Sequence, residues 1–198
     1  IRKIVEKGFQ EKVFGIGLSR TGTTSLATAL GILGYRTAHW RERGKTIDPA
    51  DFYRFDAVTD TPCACRFEQL YRAFPESKFI YTTRDISGWV ESVSSHFDCE
   101  NPKYITSTER TLSKIEEGGK WMYENLIQNL YLHQSLYSNY DNWARAYKKH
   151  DKRVQSFFST RKDRFIEINI IDSNNPWKRI CKFLNKKVPD KVFPHKNM

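Results

Sequence analysis

A glycine-framed loop near the beginning of the chain combines residue types that bind phosphate. Segment 15–24 reads GIGLSRTGTT and has the frame G-x-x-x-x-G between Gly17 and Gly22. A short apolar run at 12–17 precedes it, and residues 23–33 follow with leucines at helical spacing. In a loop between a strand and a helix, backbone N–H groups and the helix dipole converge on an anion. We therefore expect this loop to bind a phosphate-rich nucleotide.

The cation of the loop stands before its second glycine. In the Walker A loop of nucleotide hydrolases, a lysine and then Ser or Thr follow that glycine, whereas Thr23 and Thr24 follow Gly22 here. Arg20 could instead reach a terminal phosphate or sulfate through charge-assisted hydrogen bonds of about 1.5 to 3 kcal/mol each. The pattern disfavours a P-loop kinase or NTPase, which remains the alternative enzyme class. A glycine-bearing turn with an exposed arginine is the purely structural alternative.

The order of residues in this loop resembles one known family. Arg20-Thr21-Gly22-Thr23-Thr24 is similar to the 5′-phosphosulfate loop of sulfotransferases, Lys-Ser-Gly-Thr-Thr in cytosolic members and Arg-x-Gly-Thr-Thr/Ser in other branches. The resemblance implies the donor 3′-phosphoadenosine 5′-phosphosulfate (PAPS), the product 3′,5′-ADP, no metal, and sulfuryl transfer to a hydroxyl or amine by in-line displacement. The residues expected to bind the donor are Ser19, Arg20, Thr21, Gly22, Thr23, Thr24, Ser25, Arg84 and Ser92.

A second anion site is expected at an arginine and a serine eight residues apart. Arg84 follows the most strand-like stretch, 78–83, and Ser92 lies on a predicted helix, so both can turn toward the crevice at the strand end. The pair resembles the 3′-phosphate site of sulfotransferases. Taken singly, Arg84 is explained by a salt bridge with Asp85, and Ser92 by a solvent-facing helix position.

The end of the chain also resembles the family. Residues 177–184, followed by 188–190 and 193–197, are similar to the closing segment of a bacterial-type branch of sulfotransferases. The Arg-Lys-Gly loop with which cytosolic members complete the 3′-phosphate site is absent. Lys191, His195 or Lys196 are the candidates to take its place.

Three side chains are candidates for the base that sulfuryl transfer requires. Asp60, in the segment Val-Thr-Asp-Thr-Pro, stands where the resemblance places the catalytic histidine of cytosolic sulfotransferases. An Asp with an ordinary pKa near ~3.9 is a weak base unless burial or a hydrogen bond to the acceptor helps it. His39 is the second candidate, with Glu42 just beyond it. Arg20 is the catalytic cation, because it can stabilise charge on the bridging phosphate oxygen. Each of the two bases also has a purely structural interpretation. Asp60 can begin the turn before Pro62, and His39 can pack beside Trp40.

Alternating apolar runs and helical patterns supply the elements that must position these residues. The expected strands are 12–17, 35–39, 55–59, 78–83 and 164–171, and the expected helices are 23–33, 67–74, 88–97 and 177–184 with Pro176 in its first turn. Residues 106–158 are predicted to be mainly helical, with breaks at Gly118-Gly119 and near Asn139.

This alternation predicts an α/β fold in three layers. A parallel sheet of about four to five strands would be flanked by helices, as in P-loop NTPase-like sulfotransferases, with the binding crevice at the carboxyl ends of the strands. The chain of 198 residues is long enough for one well-buried core, so residues 1–198 are expected to form a single sulfotransferase-like domain.

The net charge of +10 indicates an anionic partner without identifying it. Many of the cations lie between Arg145 and Arg164, where the solvated face of a helix is the simpler interpretation and a non-catalytic polyanion-binding module is the alternative. The sequence has no aromatic-interleaved RNA signature and no zinc-finger spacing, so no nucleic-acid partner is expected. The acceptor would be a small molecule or a glycan. Aromatic residues that could line its pocket, unless they belong to the core, are Trp40, Trp121, Tyr123, Tyr131 and Trp143.

Cysteine usage and hydropathy bear on location. The four cysteines lack the density of a disulfide scaffold, which favours a reducing compartment, and Cys63-Ala-Cys65 has no second Cys/His pair at ligand spacing. No segment approaches the ~18 to 20 apolar residues of a membrane span. We expect a cytoplasmic protein without a membrane span, although a chain that begins with Ile1 rather than Met is compatible with a trimmed N-terminus and a removed signal.

Overall fold

A twisted sheet forms the middle layer of the structure. The computed structural model describes residues 11–195, apart from the side chains at 117–119, 121, 122 and 124. The strands are β1 (Val13–Gly15), β2 (Thr37–His39), β3 (Arg41–Glu42), β4 (Lys45–Thr46), β5 (Ala57–Thr59), β6 (Lys78–Thr83) and β7 (Phe165–Asn169). Their order across the sheet is β4-β3-β2-β5-β1-β6-β7. The five strands from β2 to β7 in this order run parallel, as predicted.

Helices connect the parallel strands. They are α1 (Thr23–Ile32), α2 (Thr61–Ala64), α3 (Phe67–Ala73), α4 (Ile86–Phe97), α5 (Thr108–His133), α6 (Trp143–Phe158) and α7 (Pro176–Leu184). Short turns of 3₁₀ helix occupy Asp51–Tyr53, Pro102–Tyr104 and Lys162–Arg164, and a π-helical turn at Gln134–Ser138 extends α5. The helices expected before residue 100 and after residue 170 are all present, with ends within two residues of the prediction.

Both faces of the sheet are buried against helices. Successive β1 residues point to opposite sides, so Val13 packs on one face with Leu30 of α1 and Ile180 of α7, while Phe14 packs on the other with Phe158 of α6. Each such side chain, fully removed from water, contributes about 1.5 to 3 kcal/mol to folding. The three-layer α/β class predicted from the sequence is therefore confirmed.

Helix α5 is continuous, so the break predicted at Gly118-Gly119 is wrong. Glycine in a helix interior costs only about 1 kcal/mol relative to alanine, which tertiary contacts can offset. A straight helix of 26 residues would be about 39 Å long. Arg110 near its beginning and His133 at its end nevertheless both contact Phe97, the last residue of α4. The axis of α5 therefore bends around the end of α4. The second predicted break, near Asn139, is confirmed, because α6 begins only at Trp143.

A small antiparallel hairpin that the sequence did not predict extends the sheet beyond β2. Strands β3 and β4 are joined by Arg43 and Gly44, which both have positive φ (48° and 81°) as a tight two-residue hairpin turn requires. Helix α5 holds this hairpin: Asn125 Oδ1 accepts from the Thr46 N–H (2.7 Å) and Asn129 Oδ1 from the Thr46 hydroxyl (3.0 Å). The hairpin thereby fixes α5 beside the carboxyl ends of the parallel strands.

Candidate active site

The glycine-framed loop joins β1 to α1 at the carboxyl edge of the sheet. Gly22 caps the helix with φ of +94°, a left-handed conformation that favours glycine. Gly17 passes so close to β6 that a Cβ there would overlap the Thr82 hydroxyl and lie 2.6 Å from the Thr82 carbonyl oxygen. Arg20 also has a positive φ, of 70°. The loop conformation therefore depends on both glycines of the frame.

Aromatic side chains from three other elements fix this loop. The Ser19 N–H donates to the Tyr137 hydroxyl (3.2 Å), and the Ser19 carbonyl accepts from Trp89 Nε1 (2.9 Å). His150 of α6 donates from Nε2 to the Ile16 carbonyl (3.0 Å). Thr21 points into the interior, where its hydroxyl donates to the Leu18 carbonyl (2.7 Å). Of the residues expected to bind the donor, Thr21 is thus the one whose hydroxyl is turned away from the crevice.

The beginning of α1 faces the crevice with hydroxyl groups. Thr23, Thr24 and Ser25 occupy its first turn, which contains no acidic residue. The first N–H groups of a helix have no acceptor within the helix itself, and together with the positive end of the dipole they attract an anion. The structure therefore places the loop and the helix start where an anion would be stabilised without a Walker lysine.

Asp60 is buried directly beneath the loop. Its carboxylate accepts hydrogen bonds from the Ser19 hydroxyl (2.8 Å), the Thr23 hydroxyl (2.9 Å) and the Thr61 N–H (2.6 Å). Its backbone has a positive φ of 79°, unusual for a residue other than glycine, and its N–H donates to the Gly15 carbonyl (3.1 Å). Asp60 consequently links the end of β5 to both sides of the loop.

His39 lies beside Asp60 at the end of β2. Its Nε2 is 3.4 Å from Asp60 Oδ2 and 3.1 Å from the Thr24 hydroxyl, while its Nδ1 is 2.8 Å from the Thr59 hydroxyl. Glu42 is directed elsewhere, because its carboxylate pairs with Arg54 at 3.1 Å and it does not line the crevice. The imidazole and carboxylate thus form a contiguous pair, whereas Glu42 is separate from it.

The two predicted anion sites meet through one hydrogen bond. Arg20 Nε donates to the Ser92 hydroxyl at 3.0 Å, which connects the loop to the middle of α4. Arg84 follows β6, and its backbone N–H (3.2 Å) and carbonyl (2.8 Å) both bond to the Tyr147 hydroxyl. Asp85 accepts from the Gly88 N–H (2.7 Å) and so caps α4. The structure brings Arg20, Arg84 and Ser92 to one crevice.

This crevice is a cavity of about 620 Å³. Asp60 and His39 line this cavity. All the residues expected to bind the donor line it as well, with the exception of Thr21. His195 lies on its wall, Lys191 does not, and Lys196 is outside the described residues. Among the aromatic candidates Trp40 lines it, Trp143 is buried in the core, Tyr123 and Tyr131 are exposed, and the side chain of Trp121 is outside the described part.

Helices α4 and α5 and the segment between them supply wall residues that the sequence analysis missed. They are His96, Phe97, Asp98, Ile105, Arg110, Thr111, Lys114, Leu126, Asn129, Leu130 and His133. The spacing of Ser92 and His96, one helical turn apart, would have placed both on the same face of α4. No comparable signal connects α5 to the loop, because its position depends on the hairpin and on its own bend.

The two histidines of this wall, His96 and His133, have lowered pKa values. Burial, with a smaller effect from the Arg20 guanidinium, lowers the pKa of His96, while the Asp60 carboxylate raises it. Burial lowers the pKa of His133 to about 4. At neutral pH this wall therefore presents uncharged imidazoles that can donate or accept hydrogen bonds.

The basic stretch between Arg145 and Arg164 lies away from the cavity. Arg145 pairs with Asp141 (2.7 Å), Arg153 with Glu68 (2.8 Å), and Arg164 donates to the Ser77 carbonyl (2.8 Å). None of the cavity-lining residues belongs to this stretch. Lys148, Lys149 and Lys152 of α6 are exposed, in agreement with the simpler interpretation of a solvated helix face.

Within the described residues, no helix combines the length and the apolar composition that crossing a bilayer requires. Among the side chains that the structure describes, no group of three or more His, Cys, Asp or Glu has metal-binding geometry either. Cys63 and Cys65 are buried free thiols directed at the Val58 and Pro62 carbonyls.

A phosphate-type loop at the carboxyl edge of a five-stranded parallel sheet defines an α/β protein of the P-loop-like class. Residues 12–52 and 48–198 match the sulfotransferase domain family, and the chain belongs to that family. It is also similar to Ava biosynthesis cluster protein M of Aspergillus versicolor, with 27% identity in an alignment 224 residues long. The alignment covers 93% of this chain and 80% of that protein. The resemblance noted in the loop is therefore confirmed at the level of the family.

Proposed function

We propose that this protein transfers the sulfuryl group of PAPS to a hydroxyl or amine acceptor. The observation that carries the proposal is the Arg20–Ser92 hydrogen bond of 3.0 Å, which joins the 5′-phosphosulfate loop to the helix that follows Arg84. A nucleotide with anions at both its 5′ and 3′ positions requires two cationic sites in one cavity. Arg20 and Arg84 both line the cavity.

The residues of the cavity fit such a donor. The first turn of α1, with Thr23, Thr24 and Ser25, would hold the 5′ phosphosulfate by backbone N–H groups and hydroxyls. Arg84 and Ser92 would hold the 3′-phosphate, and His195 is the candidate for completing that site. The donor supplies an activated sulfur whose bond to the bridging phosphate oxygen breaks during transfer.

Arg20 would act on that bridging oxygen. As the bond to sulfur breaks, negative charge develops on the oxygen, and a guanidinium fixed beside the loop stabilises it more in the transition state than in the ground state. The acceptor oxygen or nitrogen forms a new bond to sulfur, its proton passes to the base, and 3′,5′-ADP leaves. This chemistry requires in-line positioning and donors for the leaving oxygen.

The contacts of Asp60 and His39 suggest a division of roles. Asp60 already accepts three hydrogen bonds from the loop and from Thr61, which leaves its carboxylate little capacity to take the acceptor proton. His39 lines the cavity with its Nε2 next to Asp60 Oδ2. We assign His39 as the general base and Asp60 as the residue that positions both His39 and the loop, reversing the order given by the sequence alone.

The acceptor is proposed to be a small molecule. The relative from Aspergillus versicolor is described as a biosynthesis cluster protein, which supports a low-molecular-weight acceptor over a glycan. The cavity of about 620 Å³ is also of the size typical for small-molecule sites.

Calorimetric titration of three nucleotides tests the donor assignment. We expect 3′,5′-ADP to bind at least about tenfold more tightly than 5′-ADP or ATP, since a charge-assisted hydrogen bond is worth about 1.5 to 3 kcal/mol. Arg84→Ala should remove most of this preference, and Lys148→Ala, an exposed cation of α6 outside the cavity, should leave it intact. Equal affinity for ATP and 3′,5′-ADP would refute the assignment.

A further inference from the structure

Helix α7 and the segment that follows it carry a dense group of cations. Residues 178–192 contain six lysine or arginine side chains and one carboxylate, so this short stretch supplies half of the net charge of +10. Five of the six cations are lysines, and all five are exposed: Lys178, Lys182, Lys186, Lys187 and Lys191. With two valines described below, they form what we call the α7 surface.

The segment after α7 turns back along the helix and gathers these lysines on one part of the molecule. At the end of α7 the Lys186 N–H donates to the Cys181 carbonyl (2.9 Å), and at its beginning Trp177 Nε1 donates to the Lys191 carbonyl (2.7 Å). Phe193 then packs on the Trp177 ring, with 5.0 Å between the centroids. Residues 186–191 therefore run beside α7, whose nine residues are about 14 Å long.

Ion pairs do not neutralise these lysines. Among the residues that the structure describes, no carboxylate lies within ion-pair distance of any of the five ammonium groups. Lys186 is held over the Tyr35 ring, with 5.2 Å between its Nζ and the ring centroid, and this contact leaves its charge in place. The α7 surface consequently presents a strong positive potential to the solvent.

Two exposed valines lie among the lysines. Val188 is 55% exposed and Val192 is 87% exposed, and each directly follows a lysine in the sequence. Helix α6 has exposed lysines too, but none of its large apolar side chains is exposed. Apolar side chains gain free energy by leaving water, and neighbouring lysines can keep their ammonium groups among anionic headgroups. Exposed apolar residues interleaved with lysine are typical of surfaces that dock on a bilayer.

The composition of the surface favours a diffuse anion over a single small one. Lysine is a compact, strongly hydrated charge on a flexible stem, whereas arginine is the residue suited to bidentate recognition of one carboxylate or phosphate. None of the five lysines lines the cavity of the candidate active site. A leaflet rich in anionic headgroups offers such a diffuse charge, and clusters of about four to eight basic residues bind to it.

We propose that the α7 surface docks this protein on a bilayer that contains anionic phospholipid. Its lysines would approach the headgroup phosphates and carboxylates, and Val188 and Val192 would enter the region between the headgroups and the acyl chains. The docking is peripheral and requires no spanning segment. It is also independent of the proposed sulfuryl transfer.

Docking would orient the cavity relative to the membrane. His195 belongs to the same segment and lines the cavity. It follows Val192 by three residues, so the two Cα atoms are at most about 11 Å apart. The cavity wall at His195 would therefore lie close to the headgroups, and an acceptor that partitions into the bilayer would have a short path to it.

Vesicle sedimentation with the full chain tests the docking. The probes are vesicles of phosphatidylcholine alone and vesicles of phosphatidylcholine and phosphatidylserine in equal parts. We expect at least about tenfold tighter binding to the second kind, and a steep loss of that binding at raised ionic strength, which screens exposed charges. Equal binding to both kinds, or binding to neither, would overturn the proposal.

A pair of lysine substitutions locates the charge effect. Lys178→Gln combined with Lys182→Gln should weaken binding to the phosphatidylserine vesicles at least about tenfold, since each cation near such a surface contributes roughly fivefold. Lys148→Gln combined with Lys152→Gln is the matched control, because these two lysines are likewise exposed and one turn apart, on α6. We expect less than about a twofold change there. An equal loss in the control would show that net charge alone is responsible and would overturn the proposal.

The valines distinguish a membrane from an acidic protein or another dissolved polyanion. Val188→Ser combined with Val192→Ser should weaken vesicle binding at least about fivefold, because apolar area no longer leaves water. Ile127→Ser on α5, where Ile127 is 78% exposed, is the control and should have no effect. Lysine-dependent binding that survives the valine substitutions unchanged would assign the surface to a dissolved polyanion and overturn the membrane proposal.

Nucleotide binding separates this proposal from the proposed function. None of the substituted residues lines the cavity, so every variant should keep the affinity of the unaltered protein for 3′,5′-ADP. Loss of that affinity together with vesicle binding would show that the substitutions disturb the fold and would overturn the assignment of the α7 surface. Failure of the unaltered protein to prefer 3′,5′-ADP would remove the proposed function and leave the docking proposal in place.

Discussion

Arg20 Nε and Ser92 Oγ are 3.0 Å apart, although the two residues are separated by 72 positions in the chain. Arg20 is in the loop after β1, and Ser92 is in the middle of the helix that follows Arg84. The contact means that the groups proposed for the 5′ and 3′ ends of one nucleotide are coupled directly. A change at either residue should therefore be felt at the other.

A double-mutant cycle on Arg20 and Ser92 measures this coupling. We expect Ser92→Ala to weaken 3′,5′-ADP binding by roughly ten- to a hundredfold if the hydroxyl contacts the 3′-phosphate, because hydrogen bonds to charged groups contribute about 1.5 to 3 kcal/mol. Arg20→Ala should reduce turnover more than binding. Calorimetry and initial rates on both single variants and the double variant are required. Strict additivity of the two effects would contradict direct coupling.

Replacing His39 tests the assignment of the base. His39→Gln should lower kcat by about a hundredfold, as is typical for the loss of a general base. The affinity for 3′,5′-ADP should remain nearly unchanged. The loss should be smallest for phenols of low pKa, which need the least help in losing a proton. Rates with a series of substituted phenols give this dependence as a Brønsted slope. A uniform loss across the series would argue against proton transfer to His39.

Asp60→Asn should affect stability as well as rate. Asparagine has nearly the shape and volume of aspartate, so both side chains meet the same backbone conformation at this position and the change isolates the carboxylate. One oxygen becomes an amide N–H₂ facing hydroxyl or N–H donors, and we expect the free energy of unfolding to fall by about 1 to 3 kcal/mol. Urea denaturation monitors this directly. Asp190→Asn, at an exposed position after α7, is the control, and an equal loss there would show that the effect is not specific to the loop.

Gly17→Ala and Gly31→Ala form a matched pair. At Gly17 a Cβ would collide with Thr82, with the carbonyl oxygen at 2.6 Å, whereas nothing lies within 4 Å of a Cβ at Gly31 in α1. We expect Gly17→Ala to destabilise the fold by about 1 to 3 kcal/mol or more through overpacking. Gly31→Ala should stabilise it by up to about 1 kcal/mol through helix propensity. Thermal or urea unfolding of both variants decides the matter, and equal stability of the two would contradict the close approach of the loop to β6.

Acid should destabilise the protein through buried histidine. Burial lowers the pKa of His150 to about 4, below the ordinary value of 6.5 that applies in the unfolded chain. Between pH 7 and pH 5 the unfolded chain gains a proton that the folded protein excludes, so this residue alone costs roughly 2 kcal/mol of unfolding free energy across that range. His150→Gln keeps an N–H donor for Ile16 and should flatten the pH dependence. An unchanged slope in that variant would show that His150 is not the group responsible.

The central parallel strands β1, β5 and β6 were predictable because they are buried on both faces and are largely apolar. Residues 78–83, for example, were predicted with the bounds observed for β6. Strands β3 and β4 have two residues each and are mostly polar, so only the turn at Arg43 and Gly44 could have indicated them. The loop side of the cavity followed from local spacing. Its α5 side did not, because a bend and hydrogen bonds to a distant hairpin bring that helix there.

The two hydrogen bonds that hold the Ser19 backbone affect how fast a nucleotide can bind. Because the Tyr137 hydroxyl binds the Ser19 N–H and Trp89 Nε1 binds the Ser19 carbonyl, the rest of the fold holds the loop in shape independently of a nucleotide. Little chain entropy remains to be lost on association, and no slow rearrangement has to precede it. Capture of the nucleotide should therefore occur in a single kinetic phase, with an encounter rate set by diffusion and by the ionic strength of the solution.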